Sequence, residues 1–342
     1  MTSQQLGGPT VYLSVVIPCF NEFECLDALY ERVSATCRAA VESNYEILLI
    51  NDGSKDRTWE KIAAYADKDP AIVGVNLSRN YGHQLALTAG LNLCRGERVL
   101  ILDADLQDPP ELLGEMMAKM DAGFDVVYGQ REERQGETLF KRGTAALFYR
   151  FLSRLVDIDI PQDTGDFRLM SRKALDHLNA MPEHYRFVRG LVSWLGFRQT
   201  SVRYSRAERF AGTTNYPLSK MIRLAFDAIT AFSISPLRIA SHVGIILGLL
   251  FMLFLGGVLY SWANGDVVPG WTSIVTIVLL VGSIQLITLG IMGEYVGRTY
   301  MESKRRPLFI VDEVRKLSAS SMTSSPVHSL QARIGISNYD RG

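Results

Sequence analysis

Hydrophobic residues fall along this chain in three regimes. Between residues 12 and 130, short runs that are apolar nearly throughout alternate with longer segments in which apolar positions recur every three or four residues. The runs at 12–18, 45–51, 71–77, 98–103 and 125–129 are short and rich in Val, Ile and Leu, which predicts strands. The intervening segments 22–40, 57–68, 82–94 and 110–122 carry the helical period and predict amphipathic helices. Strands without hydrophobic–polar alternation are buried on both faces, so the pattern predicts an α/β domain with a doubly wound, mainly parallel sheet.

The second regime is wholly apolar. Residues 239–262 and 271–292 contain no Asp, Glu, Lys or Arg. At ~1.5 Å per helical residue each run exceeds a hydrocarbon layer of ~30 Å, so the pair is expected to form a transmembrane hairpin. The connection 263–270 holds Asp266 and no basic residue, whereas Arg238, Arg298, Lys304, Arg305 and Arg306 flank the hairpin. The positive-inside rule then places both flanks, the α/β domain and both termini on the cytoplasmic side of the cell membrane, with Trp262 and Trp271 at an interface. Gly244/Gly248 and Gly293/Gly297, with Gln285 inside a span, suit helix association and a homo-oligomer such as a tetramer. Before the hairpin, 218–232 puts Leu218, Met221, Ile222, Ala225, Phe226, Ile229 and Phe232 on one face, which predicts an interfacial amphipathic helix over 217–238. Residues 138–155 are similar, backed by Lys141, Arg142, Arg150 and Arg154, and suit either the interface or the sheet.

The third regime, 318–342, is rich in Ser, Thr and Met and predicts a disordered tail; residues 1–10 are expected to be flexible, without a signal sequence. The expected organisation is therefore an α/β domain over 11–216, the interfacial helix, the hairpin within 239–292, a juxtamembrane segment over 293–317, and the tail.

Charge changes this picture little. Lys plus Arg equals Asp plus Glu at 36 each, so bulk charge gives no case for a nucleic-acid partner. Cys19, Cys25, Cys37 and Cys94 have neither CxxC nor zinc spacing and read as reduced structural thiols.

The chemistry concentrates where the fourth strand ends, in Arg98-Val-Leu-Ile-Leu-Asp103-Ala-Asp105-Leu-Gln107-Asp108-Pro-Pro. Continued extension points Asp103, Asp105 and Gln107 the same way, at the sheet edge where α/β folds bind ligands. Such oxygens suit Mg²⁺ or Mn²⁺ held jointly with substrate phosphates. Asp108 reads instead as the cap of a helix with Pro109 at its first position. The first strand ends in Pro18-Cys-Phe-Asn21-Glu22 and the second in Asn51-Asp52-Gly53-Ser54-Lys55-Asp56, on the same edge. Asp52 could accept from a base or ribose, and Asp56 or Ser54 could cap the next helix. Neither GxGxxG nor GxxxxGK[ST] occurs, so a bound nucleotide needs a metal and arginines for its phosphates.

Together, PCFNE, NDGSKDRT, LSRNYGHQLALTAG, DADLQDPPE and GDFRLMSR resemble family 2 glycosyltransferases of the GT-A fold, more narrowly the polyprenyl-phosphate glycosyltransferases. That group includes dolichyl-phosphate mannose synthase and bactoprenol glucosyltransferases. The resemblance runs from Tyr12 to Phe309 and implies site roles. Pro18, Asn21, Glu22, Asp52, Ser54, Arg79 and Asp103 would bind the donor nucleotide. Asp105 and Gln107 would ligate the metal, and Asp103, Asp105, Asp166 and Arg131 would serve catalysis. Arg131, Arg168, Arg206 and Arg209 would hold acceptor and phosphate groups. Asn215 stands where relatives usually carry Lys, which removes one cation from that clamp.

The implied reaction moves a hexose, glucose from UDP-glucose as first choice, onto a polyprenyl (undecaprenyl) phosphate with inversion. Asp163 or Asp166 would orient groups, since a phosphate monoester with second pKa ~6 needs no deprotonation near neutrality. Two other readings stand beside it: a membrane transferase with a hydroxyl acceptor, and a nucleotide-sugar-binding regulator without turnover.

Overall fold

The computed structural model describes residues 11–131, 164–205, 235–264 and 270–317. Among these, 11–131, 164–205 and 307–317 form one compact unit, and 235–264 with 270–306 form a second. The expected helix over 138–155, residues 217–234 of the interfacial helix expected over 217–238, the tail, Asp163, Arg206, Arg209 and Asn215 lie outside the described residues.

The first unit is built on one sheet of eight strands: β1 (Leu13–Cys19), β2 (Tyr45–Asn51), β3 (Ile72–Leu77), β4 (Arg98–Ile101), β5 (Val126–Arg131), β6 (Thr164–Ser171), β7 (Gln199–Tyr204) and β8 (Val311–Arg315). Their spatial order is β7-β5-β6-β4-β1-β2-β3-β8. The five strands read from hydrophobic runs are present, and β4, β1, β2 and β3 are parallel neighbours as expected. The sheet is not parallel throughout, however. β6 runs antiparallel between β4 and β5, and β8 antiparallel on the edge of β3. β7 is parallel to β5.

Every residue of β1 and β2 is buried, because helices cover both faces of the central strands. On one side α1 (Leu26–Val41) presents Leu26, Leu29, Val33 and Cys37, spaced along a single helical stripe, toward Val15, Ile17, Ile47 and Leu49. α2 (Thr58–Ala66) and α4 (Leu113–Asp121) add Ile62, Met116 and Met120 to that cluster. On the opposite face α3 (His83–Leu93) approaches so closely that a Cβ on Gly90 would lie 2.3 Å from Val16 Cγ1. Two short helices, α5 (Arg172–Ala180) and α6 (Val188–Trp194), follow β6; Ser171 caps α5 by accepting from the Ala174 amide. All four cysteines are buried and unbridged, with burial holding the Cys37 and Cys94 thiols at about 12, which leaves them unreactive.

The second unit is two long helices, α7 (Ser235–Ala263) and α8 (Trp271–Ser303), that touch one another. Each contains a stretch long and apolar enough to cross a membrane, Pro236–Gly257 and Leu280–Ser303. Large apolar side chains stand exposed on them, Leu253 at 74% and Leu286 at 72%. A Cβ at Gly244, Gly248, Gly293 or Gly297 would meet nothing within 4 Å. After α8 the chain enters β8, so residues 311–315 of the expected juxtamembrane stretch are a strand of the sheet.

Candidate active site

The carboxyl ends of β1, β2 and β4 converge on a cavity of about 800 Å³. Pro18, Asn21, Glu22, Asp52, Asp103 and Asp105 line it, so six of the expected site residues meet there. The loop after β1 and the turn after β2 are locked by exchange of hydrogen bonds. The Asn21 amide donates to Ser54 Oγ at 3.0 Å, while Asn21 Oδ1 accepts from the Lys55 amide at 2.8 Å. Asn21 adopts φ 57°, a left-handed conformation that Asn tolerates. Glu22 N–H donates to Thr58 Oγ1 at 3.0 Å, and Asp56 Oδ1 accepts from the Thr58 amide at 3.0 Å, which makes Asp56 the terminal acceptor at α2. Gly53, at φ +63°, packs so tightly that a Cβ would lie 2.5 Å from the Asn80 nitrogen.

Asp52 is 2% exposed, and its two oxygens accept from the backbone amides of Tyr81 (2.7 Å) and Gly82 (2.9 Å). Burial raises its pKa against the lowering effect of those amides and of His83. The residue expected to read a base thus fixes the loop that leads into α3. Arg79 is exposed, with its guanidinium 4.3 Å from the centre of the Tyr81 ring, and stands outside the cavity lining.

The acidic motif departs from the extended course expected of it. β4 ends at Ile101, and the chain turns through Ala104 and Asp105, with Leu106 at φ 59°. Asp105 Oδ1 accepts from the Gln107 amide at 3.2 Å, the side-chain-to-backbone bond by which Asp stabilises a turn. Asp103 and Asp105 therefore reach the cavity through a turn, while Gln107 is buried at 8% exposure and lies outside the lining. Asp108 is not a cap. The 3₁₀ turn Pro110–Leu112 starts at Pro110 without a side-chain cap, and Asp108 is fully buried, accepting from the Tyr204 hydroxyl. Arg131 joins this pair: its Nε donates to Tyr204 Oη at 3.4 Å and its Nη2 is 3.9 Å from Asp108 Oδ1. Burial works against the Arg131 charge, but Tyr204 and the nearby acids Asp108 and Asp103 raise its pKa. Gly165 leaves room for that guanidinium, since a Cβ there would be 3.1 Å from Arg131 Nη2.

A second cluster centres on Asp166 of β6, 7% exposed. Its Oδ2 accepts from Gln84 Nε2 at 2.8 Å and is 3.3 Å from His83 Nε2. Its Oδ1 faces Arg189 Nη2 at 3.6 Å and Arg168 Nη2 at 3.8 Å. Burial alone would raise the Asp166 pKa, but His83, Arg189 and Arg168 hold it far below the ordinary carboxylate range. Arg168 is 3% exposed and burial lowers it to about 10, so it stays charged near neutrality. Its Nη2 also donates to the Gly165 carbonyl at 3.1 Å, which makes it a buried brace.

His83, Gln84 and Arg189 were not singled out from sequence. His83 Nε2 lies 3.6 Å from Asp103 Oδ1 as well as against Asp166, and so joins β4 to β6. The available signal was its position at the start of a helix behind a strand whose neighbours end in acids.

Among the described residues no three His, Cys, Asp or Glu form a ready metal cage. The local charge nevertheless fits a cation. Burial and the acids Asp166, Asp108 and Asp105 push the Asp103 carboxyl up to about 6 despite His83, and its Oδ1 is buried without a hydrogen bond. A cation would relieve that excess of negative charge, and one bound mainly through substrate phosphates needs few protein ligands.

Residues 14–178 match Glycosyl transferase family 2. The chain is 48% identical over 304 residues to the protein of Bacillus subtilis (strain 168) called uncharacterized glycosyltransferase YkcC, spanning 89% of this chain and 94% of that one. It is 39% identical to the prophage bactoprenol glucosyl transferase homolog of Escherichia coli (strain K12), over 89% of this chain and 99% of the other. It is 38% identical to the bactoprenol glucosyl transferase of Shigella phage SfV, over 87% and 97%. The mixed sheet with an acidic turn after its fourth strand is the GT-A architecture that the motifs implied. The chain belongs to Glycosyl transferase family 2 and is a glycosyltransferase.

Proposed function

We propose that this glycosyltransferase moves a hexose, glucose from UDP-glucose in the first instance, to a polyprenyl phosphate at the cytoplasmic face of the cell membrane. The observation that carries the reading is the cavity at the strand ends, with Asp103 and Asp105 on one wall and the Asp166 cluster joined to it through His83. The relatives named for bactoprenol support the lipid acceptor, and the two apolar helices α7 and α8 support attachment to the bilayer.

Pro18, Asn21, Glu22 and Ser54 shape the nucleotide side of the site, with Asp52 holding the Tyr81–Gly82 loop beneath it. Asp105 and Gln107 would hold Mg²⁺ or Mn²⁺, which supplies charge neutralisation of a diphosphate when bound. A phosphate oxygen of the acceptor attacks the anomeric carbon. The new carbon–oxygen bond forms as the bond to the nucleoside diphosphate breaks, and the electron pair leaves with that diphosphate. The acceptor is already anionic, so the chain has no proton to remove from it.

Asp166 suits this role distribution. Held ionised by Arg168, Arg189 and His83, it is a weak base and a firm fixture, and orients rather than deprotonates. Arg131 offers a guanidinium to the acceptor phosphate, the geometry for which arginine is best suited. A prenyl chain leaves the bilayer at a cost of ~0.8 kcal/mol per CH₂, which explains why such a transferase carries its own anchor. Helix association through Gly244/Gly248 and Gly293/Gly297 completes the proposal as a homo-oligomer.

The test uses detergent-purified protein with undecaprenyl phosphate, Mn²⁺ or Mg²⁺ and radiolabelled nucleotide sugars. Metal-dependent label in the lipid phase with inverted anomeric configuration is expected. Retention would exclude single displacement, label only on hydroxyl acceptors would replace the lipid phosphate, and nucleotide binding without turnover would point to a regulator.

A further inference from the structure

The cavity wall is strongly anionic. Glu22, Glu24, Asp52, Asp56, Asp103 and Asp105 line it, against two basic residues among those described, Arg57 and His83. Arg57 is engaged by its neighbours: its Nε donates to Glu60 Oε2 at 2.7 Å and its guanidinium lies 5.7 Å from the Phe23 ring centre. His83 is differently placed. One edge of its ring is anchored, Nε2 lying 3.3 Å from Asp166 Oδ2 and 3.6 Å from Asp103 Oδ1. Its other nitrogen, Nδ1, has no hydrogen-bond partner among the described residues, and 45% of the side chain is open.

A donor diphosphate is itself an anion and must meet this acidic wall. Resting on the reading of the site as a nucleotide-sugar site, we propose that His83 is a donor-contact residue, giving a hydrogen bond from Nδ1 to an oxygen of the diphosphate. Asp103 and Asp166 orient the ring by gripping Nε2, which fixes the direction in which Nδ1 can donate. A ring gripped this way requires the Nε2 proton for the acids, so a donating Nδ1 means the imidazolium form. Burial opposes that charge, but the bond to Asp166 and the nearness of Asp103, Asp166 and Asp52 outweigh it and raise the pKa above the ordinary imidazole value. The same geometry joins donor binding to the acceptor side, because the carboxylate that holds His83 also faces Arg168 and Arg189.

The experiment measures UDP and uridine affinity by calorimetry on the full chain in detergent at fixed Mn²⁺, for the wild type, His83→Ala, His83→Asn and His83→Gln. An Asn amide nitrogen falls near the place of Nδ1, and a Gln amide nitrogen near that of Nε2. The expected result is a loss of about tenfold in UDP affinity for His83→Ala, on the scale of one charge-assisted hydrogen bond, with uridine unchanged. Asn should recover part of the loss and Gln none. Unchanged UDP affinity, a parallel loss for uridine, or rescue by Gln rather than Asn would each overturn the assignment, the last two by showing that His83 serves the cavity only through Asp166. Failure of the wild type to bind UDP or GDP would overturn the nucleotide-sugar reading itself, and this inference with it.

Discussion

The two halves of the sheet hold their polar residues on different terms. In the parallel half, β4-β1-β2-β3, strand-end side chains bond to backbone: Asp52 to the Tyr81 and Gly82 amides, Asp56 to Thr58, Asn21 and Ser54 across two loops. That arrangement shapes loops and leaves Asp103 and Asp105 facing the cavity. In the half formed by β6, β5 and β7, side chains bond to one another: Asp166 with Arg168, Arg189 and His83, and Asp108 with Tyr204 and Arg131. The first half is a mould with unbalanced negative charge, and the second is an internally compensated frame. Substitution of the cavity-facing Asp105 in the first should remove function with little change in stability, and substitutions in the second should affect both.

The largest separation of the two effects is expected at Asp105. It is partly exposed and accepts from the Gln107 amide within the turn, so Asp105→Ala should shift thermal stability by less than about 1 kcal/mol. Transfer to lipid should fall by about 10³-fold, the scale of losing a main electrostatic contributor at a reacting centre. A variant that unfolds, or one that keeps activity above a tenth of wild type, would break the contrast.

Asp166→Asn should also cost stability, about 3 kcal/mol, because the buried Arg168 guanidinium and the partly buried one of Arg189 lose their counter-charge. The sign with pH follows from the depressed Asp166 pKa. A carboxyl that ionises more readily in the folded chain stabilises it fully above the unfolded value of ~3.9, and that stability is lost progressively as pH falls from there through the much lower folded value. Unfolding midpoints measured from pH 7 to pH 3 should therefore keep a constant gap down to about pH 5 and draw closer for wild type and Asp166→Asn below about pH 4, without meeting by pH 3. A gap constant over the whole range would mean that the charge of Asp166 is not what stabilises the frame.

The same division explains what could be read from sequence. β2 at Tyr45–Asn51 coincides with its hydrophobic run, because a strand covered on both faces needs apolar residues at every position. β6 was read as a motif, not as a strand, since Thr164-Gly-Asp-Phe-Arg-Leu-Met-Ser interrupts its apolar character with Asp166 and Arg168. Those charges are tolerated in a buried strand only because His83, Gln84 and Arg189 arrive from α3 and α6, and no local pattern reports such partners. β8 was missed for another reason: Val311-Asp-Glu-Val-Arg315 is a short, charged edge strand, and charge is what keeps an edge from pairing further. Asp103 and Asp105 were found, but their convergence depends on the left-handed Leu106, a conformation that Leu does not advertise.

An intermediate effect is expected at Tyr204. Tyr204→Phe removes the hydroxyl that donates to fully buried Asp108 and accepts from Arg131, while keeping the ring packed edge-on against Phe167 at 5.9 Å. Loss of one bond to a buried carboxylate should cost about 1–2 kcal/mol, read by chemical denaturation. Activity should fall several-fold through Arg131, with the change in the acceptor KM rather than in the donor KM. A change in donor KM would show that the two halves are not separable at this point.

The smallest effect sharpens the comparison most, because it lies where the mould is held from outside. Asp312 of β8 accepts from Asn76 Nδ2 at 3.3 Å, and Asn76 Oδ1 accepts from Asn51 Nδ2 at 2.7 Å. Asn51 Oδ1 takes the Ser54 amide at 3.3 Å, and Ser54 Oγ takes the Asn21 amide at 3.0 Å. An unbroken series of hydrogen bonds thus runs from the strand that follows α8 to the rim of the cavity. Its outer member is exposed and its central member Asn51 is 2% exposed, so the cost of removal should rise from Asp312 to Asn51. Asp312→Ala should change stability by less than about 0.5 kcal/mol and donor KM about twofold, whereas Asn51→Ala should cost about 1–3 kcal/mol by leaving buried polar groups without partners. Equal effects at Asp312 and Asn51 would mean that β8 holds the turn rigidly and that the mould depends on the strand entering the sheet after α8.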